Sequence, residues 1–174
     1  STIKNVDLDN YLRTLEDKFN GIEISGHTIK NDEKTESPVA ESFTFYDDYG
    51  AENINGKLYF QPMAFLQLDE NPFKLEKRTY PIDYGYPFKE TYMVKIELPE
   101  GYKIESVPES LALRLPENLG TFNYGIKTLK GYLSVMVKFE INHAKYAEHT
   151  YPYLKEFYKQ IIAKENEKVV LAKI

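Results

Sequence analysis

The sequence predicts a mainly β protein: an antiparallel β-sandwich of roughly eight strands, with one helix near the N-terminus and one near the C-terminus. Three observations carry this. The chain has 15 Tyr and 10 Phe among 174 residues and no Trp, and aromatic side chains suit the pleated, half-buried surface of a strand. Apolar and polar residues alternate one by one over long stretches, as in antiparallel sheets with one buried face. Gly, Pro, Asn and Asp separate those stretches at the spacing of all-β domains.

The clearest alternation lies in residues 120–142. In its second half Leu133, Val135, Val137, Phe139 and Ile141 alternate with Tyr132, Ser134, Met136, Lys138 and Glu140. In its first half Phe122, Tyr124 and Ile126 share one face, and Asn123, Gly125 and Lys127 share the other. Lys130-Gly131 sits between the halves, where Gly takes the positive φ of a two-residue turn. A long hairpin with one apolar face does not stand alone in water. The rest of the chain has to cover it.

The remaining elements follow in chain order. Leu8, Leu12, Leu15 and Phe19, with Tyr11 beside them, fall at helical spacing and predict a helix over residues 6–20. Asp7 is its N-cap and Gly21 its stop. Ile22, Ile24 and Ile29 suggest a strand with a turn near Gly26, which leaves His27 isolated on that surface turn. Residues 31–37 read as a loop. Phe43 and Phe45 alternate with Thr44 and Tyr46 in a second strand. Residues 47–56 are dense in turn formers and read as an exposed loop. Leu58 and Phe60 begin a short strand that Pro62 interrupts.

Residues 70–87 contain Pro72, Pro81, Pro87 and Gly85, which forbid a long regular element. A short extended piece over residues 79–82, at a sheet edge, is the expectation. Tyr92, Val94, Ile96 and Leu98 then alternate with Met93, Lys95 and Glu97. Pro99-Glu100-Gly101 makes a turn, and Tyr102, Ile104 and Val107 a shorter strand. Leu111, Leu113 and Leu115 form another, stopped by Pro116. After the hairpin, Tyr151, Leu154, Tyr158 and Ile161 mark one face of a helix over residues 148–165, where Pro152 fits only in the first turn. Residues 169–171 add an edge strand.

Composition excludes several classes. With 22 Lys and Arg against 27 Asp and Glu the formal net charge is −5, and no basic cluster stands out, so nucleic acid is not an expected partner. The sequence has no Cys, which removes disulfides, thiolate metal sites and a thiol nucleophile. No apolar run approaches the ~20 residues of a membrane span. The start at Ser1 shows no signal peptide, and an upstream signal or domain is expected.

No constellation in the sequence shows a reaction. There is no Gly-x-Ser-x-Gly and no Gly-rich phosphate loop. His143, Glu148 and His149 could surround a metal, but their spacing matches no ligand motif; the alternative is a solvated strand-to-helix loop. Asp47, Asp48, Glu52 and Asn53 form an acidic loop around Gly50 without the spacing of a calcium loop. No metal and no cofactor is therefore expected. The most suggestive feature is aromatic. Tyr80, Tyr84, Tyr86 and Tyr92, with Phe88 nearby and Arg78 as a fork of donors, could stack on a sugar or anchor a peptide. The alternative is that these tyrosines pack at the rim of the sandwich with their hydroxyls in water.

Four blocks carry a family resemblance: Glu70-Asn71-Pro72-Phe73 with Arg78-Thr79-Tyr80-Pro81-Ile82; Leu98-Pro99-Glu100-Gly101-Tyr102; the strand of residues 133–141; and Tyr151-Pro152-Tyr153-Leu154-Lys155 with Phe157-Tyr158, continuing through residues 165–171. Together they resemble the C-terminal β-sandwich region of bacterial transglutaminase-like proteins that begin with a domain of unknown function. The resemblance runs from about Leu8 to the C-terminus. It implies a papain-like transglutaminase core upstream of Ser1, holding the catalytic Cys, His and Asp, none of which can be carried onto this chain. Residues 1–20 would be a helical connector from that core and residues 21–174 the β-sandwich domain. It further implies a periplasmic or cell-surface setting. The expected function is a non-catalytic accessory domain, not itself an enzyme, whose partner is the upstream core of the same polypeptide. The alternative is a carbohydrate- or peptide-binding module using the surface tyrosines.

Overall fold

A computed structural model describes residues 7–19, 22–34, 36–47 and 50–174. Val6, Asn20 and Gly21, the expected ends of the first helix, and Asp48 of the acidic loop lie outside the described residues. The protein is mainly β and antiparallel, with one helix towards each end, as expected. Among the described residues it has twelve strands, against the roughly eight expected. The chain forms two compact units, residues 1–52 and 53–174. The first unit holds the first helix together with the first two strands.

In the first unit helix α1 (Leu8–Lys18) accompanies a hairpin of β1 (Ile22–Lys30) and β2 (Ala40–Asp47). Asp7 caps α1 by accepting the Asn10 N–H, and Glu16 accepts the Ile24 N–H at 2.8 Å, tying helix to strand. The turn expected near Gly26 is a bulge, and β1 runs straight through it. His27 is accordingly not on a surface turn. Its side chain is 4% exposed, its ring lies between Tyr11 and Phe43, and its Nε2 is 2.8 Å from a Glu41 carboxylate oxygen. Burial and a bond to Glu41 also raise the Tyr11 pKa.

The second unit is built on the predicted hairpin. Strands β9 (Gly120–Leu129) and β10 (Tyr132–Ile141) pair in unbroken register around Lys130-Gly131, and Gly131 has φ +82°. Gly120 permits a close approach at the far end, since a Cβ there would meet the Glu140 carbonyl at 2.7 Å. Strand β6 (Phe88–Glu97) flanks β10 and β8 (Leu111–Arg114) flanks β9, giving the order β6-β10-β9-β8. A second sheet has the order β3-β4-β12-β7, from β3 (Ala51–Ile54), β4 (Lys57–Phe60), β12 (Val169–Lys173) and β7 (Tyr102–Ser106). The last strand is therefore central, not an edge: β4 and β7 both pair with it, and Val169 and Leu171 are buried. The expected loop of residues 47–56 ends in strand β3 and a tight Asn55-Gly56 turn, both residues at positive φ, which is the preferred geometry for a two-residue hairpin.

The layer opposite the long hairpin is shared between a helix and a sheet. Helix α2 (Tyr151–Glu165) follows a single 3-10 turn at Glu148–Thr150 and carries Pro152 in its first turn, as expected. Its buried stripe of Tyr151, Leu154, Phe157, Tyr158 and Ile161 packs on Phe122, Tyr124, Val135, Val137, Phe139 and Ile141. Only the Leu133 end of that face meets the second sheet, through Val169, Leu171, Leu58 and Ile104. Residues 61–87 form a strap rather than an element. Phe73 is wedged edge-on between Tyr151 and Tyr158, with ring centroids 5.5 and 5.2 Å away. Asn71 donates to the Lys155 carbonyl, and the Tyr151 hydroxyl donates to the Leu75 carbonyl. Within the strap β5 (Ile82–Asp83) pairs with β11 (Lys145–Tyr146), slightly later than the extended piece expected over residues 79–82.

Leu154 is fully buried and Tyr153, its neighbour, is 55% exposed. Leu154→Ala leaves a cavity under the hairpin and is expected to cost about 2–5 kcal/mol in urea unfolding. Tyr153→Ala is expected to stay within about 0.5 kcal/mol of wild type. Similar losses at both positions would contradict the assignment of this face.

Candidate functional site

The tyrosine cluster singled out from the sequence is divided by the fold. Ile82 and Tyr84 alternate inward on the strap, whereas Tyr80 and Tyr86 face solvent, 76% and 69% exposed. Tyr84 packs edge-on against Phe88 and Tyr146 at 6.0 and 5.4 Å, and its hydroxyl lies 3.4 Å from that of Tyr158. Tyr92 lies on the inward row of β6, packs against the core, and donates its hydroxyl to Glu90 at 2.8 Å. Burial, seconded by Tyr158, raises the Tyr84 pKa; burial, seconded by the Glu90 bond, raises that of Tyr92. Neither phenol is poised to ionise. Arg78 spends its guanidinium on its own loop, donating to the Tyr80 and Pro81 carbonyls. Of the five predicted residues, only Tyr80 and Tyr86 present rings outward, on either side of the short β5 strand.

His143, Glu148 and His149 are exposed, and no group of three ligand-type side chains converges among the described residues. An open depression of about 300 Å³ lies beside the start of β6, lined by Pro87, Phe88, Lys89, Glu140, Ile141 and Asn142. Its polar groups are already committed. Lys89 pairs with Glu140 at 2.6 Å, and Asn142 donates to the Asn118 carbonyl. A ligand site of this size ordinarily needs a few convergent free polar groups.

The titratable group that sequence reasoning missed is Glu165. It is 3% exposed at the C-terminal end of α2 and accepts the Leu68 N–H at 2.8 Å, so it holds the strap against the helix. Burial pushes its pKa up to about 6, against the opposing pull of that hydrogen bond. The Tyr124 hydroxyl, buried without a hydrogen-bond partner among the described residues, is pushed up to about 12 by burial and by the charges of Glu167 and Glu165. The signal was present. Glu165 stands four residues after Ile161 and seven after Tyr158, an acid on the apolar stripe. Glu90 gives the same signal on β6, in the row of Phe88, Tyr92 and Val94.

This geometry defines a class: an antiparallel β domain whose main sheet is closed on one face by a C-terminal helix and a non-regular strap. The chain belongs to the DUF3858 family, a domain of unknown function with solved structure, whose model matches residues 56–171. The fold is also similar to a crystal structure from Parabacteroides distasonis ATCC 8503 described as a "putative protease", with a TM-score of 0.54 and 14% identity. That match covers 67% of this chain and 23% of the other, so the chain spans about a quarter of that protein's length. A comparison with curated protein sequences gave no match. No helix among the described residues is long and apolar enough to cross a membrane.

The raised pKa of Glu165 has a defined consequence for stability. The folded state holds the proton more tightly than the unfolded chain, so the associated stability is complete below about pH 4.5 and is lost as pH rises through about 6. Glu165→Gln keeps an acceptor for Leu68 and removes the titration. The wild type is expected to lose about 2 kcal/mol relative to the variant across that interval in urea unfolding. A difference between the two that does not change with pH would contradict the buried, proton-retaining carboxyl.

Proposed function

We propose that this chain is a non-catalytic β domain accompanying the core of a transglutaminase-like cysteine enzyme in a longer polypeptide, where it supports the core or binds a partner. The observation that carries this reading is the structural match, in which a fold like this one occupies 23% of a protein described as a "putative protease". The absence of any Cys supports it, since a thiol nucleophile must then come from elsewhere. The resemblance of residues 70–82, 98–102, 133–141 and 151–171 to transglutaminase-like proteins supplies the enzyme class. A periplasmic or cell-surface setting goes with the same reading.

A glycan- or peptide-binding module is the second reading, favoured by the exposure of Tyr80 and Tyr86. Tyr84 and Tyr92 would then act as supports for the loop and not as contacts.

The test is to express the upstream core of the polypeptide with and without residues 1–174 and to compare solubility, thermal midpoint and peptide hydrolysis. The accessory reading predicts a core that is less stable alone and regains activity when this chain is added in trans. A core equally stable and active alone, with no affinity for this chain, overturns it. Loss of glycan or peptide binding in a folded Tyr80→Ala/Tyr86→Ala variant would instead establish the second reading.

A further inference from the structure

The outward face of the main sheet has features that folding does not explain. On β6 and β10, Met93 and Met136 stand directly opposite each other, 75% and 44% exposed. Across β10 from Met93, Met136 also pairs with Gly125 of β9. Register therefore sets Met93, Met136 and Gly125 side by side as one row across three strands.

Gly125 is not demanded by the backbone. Its strand runs in register with β10 without a bulge, its φ is not positive, and a Cβ there would meet nothing closer than the Met136 carbonyl oxygen at 4.0 Å. Glycine in a strand interior weakens the strand, and one remaining reason to have it there is the close approach of another backbone or a ligand. The bare backbone leaves a trough beside two flexible, polarizable thioethers, the side chains that suit adaptable binding surfaces.

The charge around this row is one-sided. Both acids of the face are neutralised: Glu140 by Lys89 at 2.6 Å and Glu97 by Lys95 at 3.1 Å. Lys127, two residues from Gly125, Lys138, two residues from Met136, and Arg114 on β8 have no acidic partner among the described residues. A chain of net charge −5 thus presents unpaired cations around an apolar row. Its overall negative charge opposes a polyanion such as nucleic acid or an anionic bilayer. A compact partner whose acids meet these three cations and whose apolar side chain meets the methionines does not face that repulsion.

We propose that this face, centred on Met93, Met136 and Gly125 and rimmed by Lys127, Lys138 and Arg114, docks an acidic protein segment bearing apolar side chains. The inference does not depend on the chain accompanying an enzyme core. It concerns what the sheet binds, whichever polypeptide supplies the segment.

The test uses the full chain and a displayed library of random peptides. Selection is expected to enrich acidic peptides with embedded apolar residues, whose binding weakens with salt. Lys127→Glu/Lys138→Glu is expected to reduce binding of the enriched peptides about tenfold or more. Gly125→Thr fills the trough with a strand-favouring residue, so its thermal midpoint should equal or exceed that of wild type while binding is lost. The proposal is overturned if selection yields no acidic consensus or if the enriched peptides bind the double variant as well as wild type. It is equally overturned if folded Gly125→Thr still binds them. Saturable binding to phosphatidylserine vesicles through Lys127 and Lys138, without peptide binding, would replace it with a membrane surface.

Discussion

The structure depends on the contact between the odd-numbered face of β10 and the buried stripe of α2. Phe139 is the centre of that contact. Its ring meets Phe88 and Phe122 from the sheet and Phe157 and Tyr158 from the helix, at centroid distances of 5.5 to 6.5 Å. All but the tilted Phe157 contact are edge-to-face, and such packing adds to the burial of the ring area itself. A hairpin with one apolar face needs a cover, and α2 supplies most of it, leaving the second sheet to close the Leu133 end. Everything else in the second unit is arranged around this pairing. The strap of residues 61–87 is held against α2 by Phe73, Asn71 and the carboxyl of Glu165.

That arrangement decides which residues remain for function. Because the helix and strap occupy one face of the main sheet, the tyrosines that point to that side are consumed by packing. Tyr84 and Tyr92 become part of a polar seam with Tyr158 and Glu90. The other face of the same sheet stays open. Its apolar row and unpaired cations owe nothing to the core, since every side chain on it points away from α2.

Much of this fold was legible because its main strands are amphipathic. Period-two alternation marked β6, β9 and β10 directly, and the stripe from Tyr151 to Ile161 marked α2. What escaped lacked a local signal or had one that was misread. All four residues of β3 are exposed, so no alternation exists there, although Asn55-Gly56 announced a hairpin. The central position of β12 rests on pairing with β4 and β7, strands that are more than sixty residues away. The strap has no period at all. Whether Tyr84 or Tyr86 faces the core depends on β5 meeting β11, a contact across the whole main sheet in sequence. For the candidate site, composition identified the aromatic residues but could not sort buried from exposed rings. Glu90 and Glu165 were recoverable from their places on apolar rows.

The central claim is that this β domain is complete in its own core and works by contact with something outside it. Amide hydrogen exchange measured on residues 1–174 alone, and on the same residues within the proposed longer polypeptide, addresses it most directly. The account predicts identical, strong protection of β9, β10 and α2 in both, because their cover is internal, together with new protection confined to exterior segments in the longer chain. Weak protection of the hairpin and helix in the isolated chain would show that the core is not self-sufficient. Identical protection everywhere would show that the domain makes no contact with its neighbour, and the accessory reading would fall.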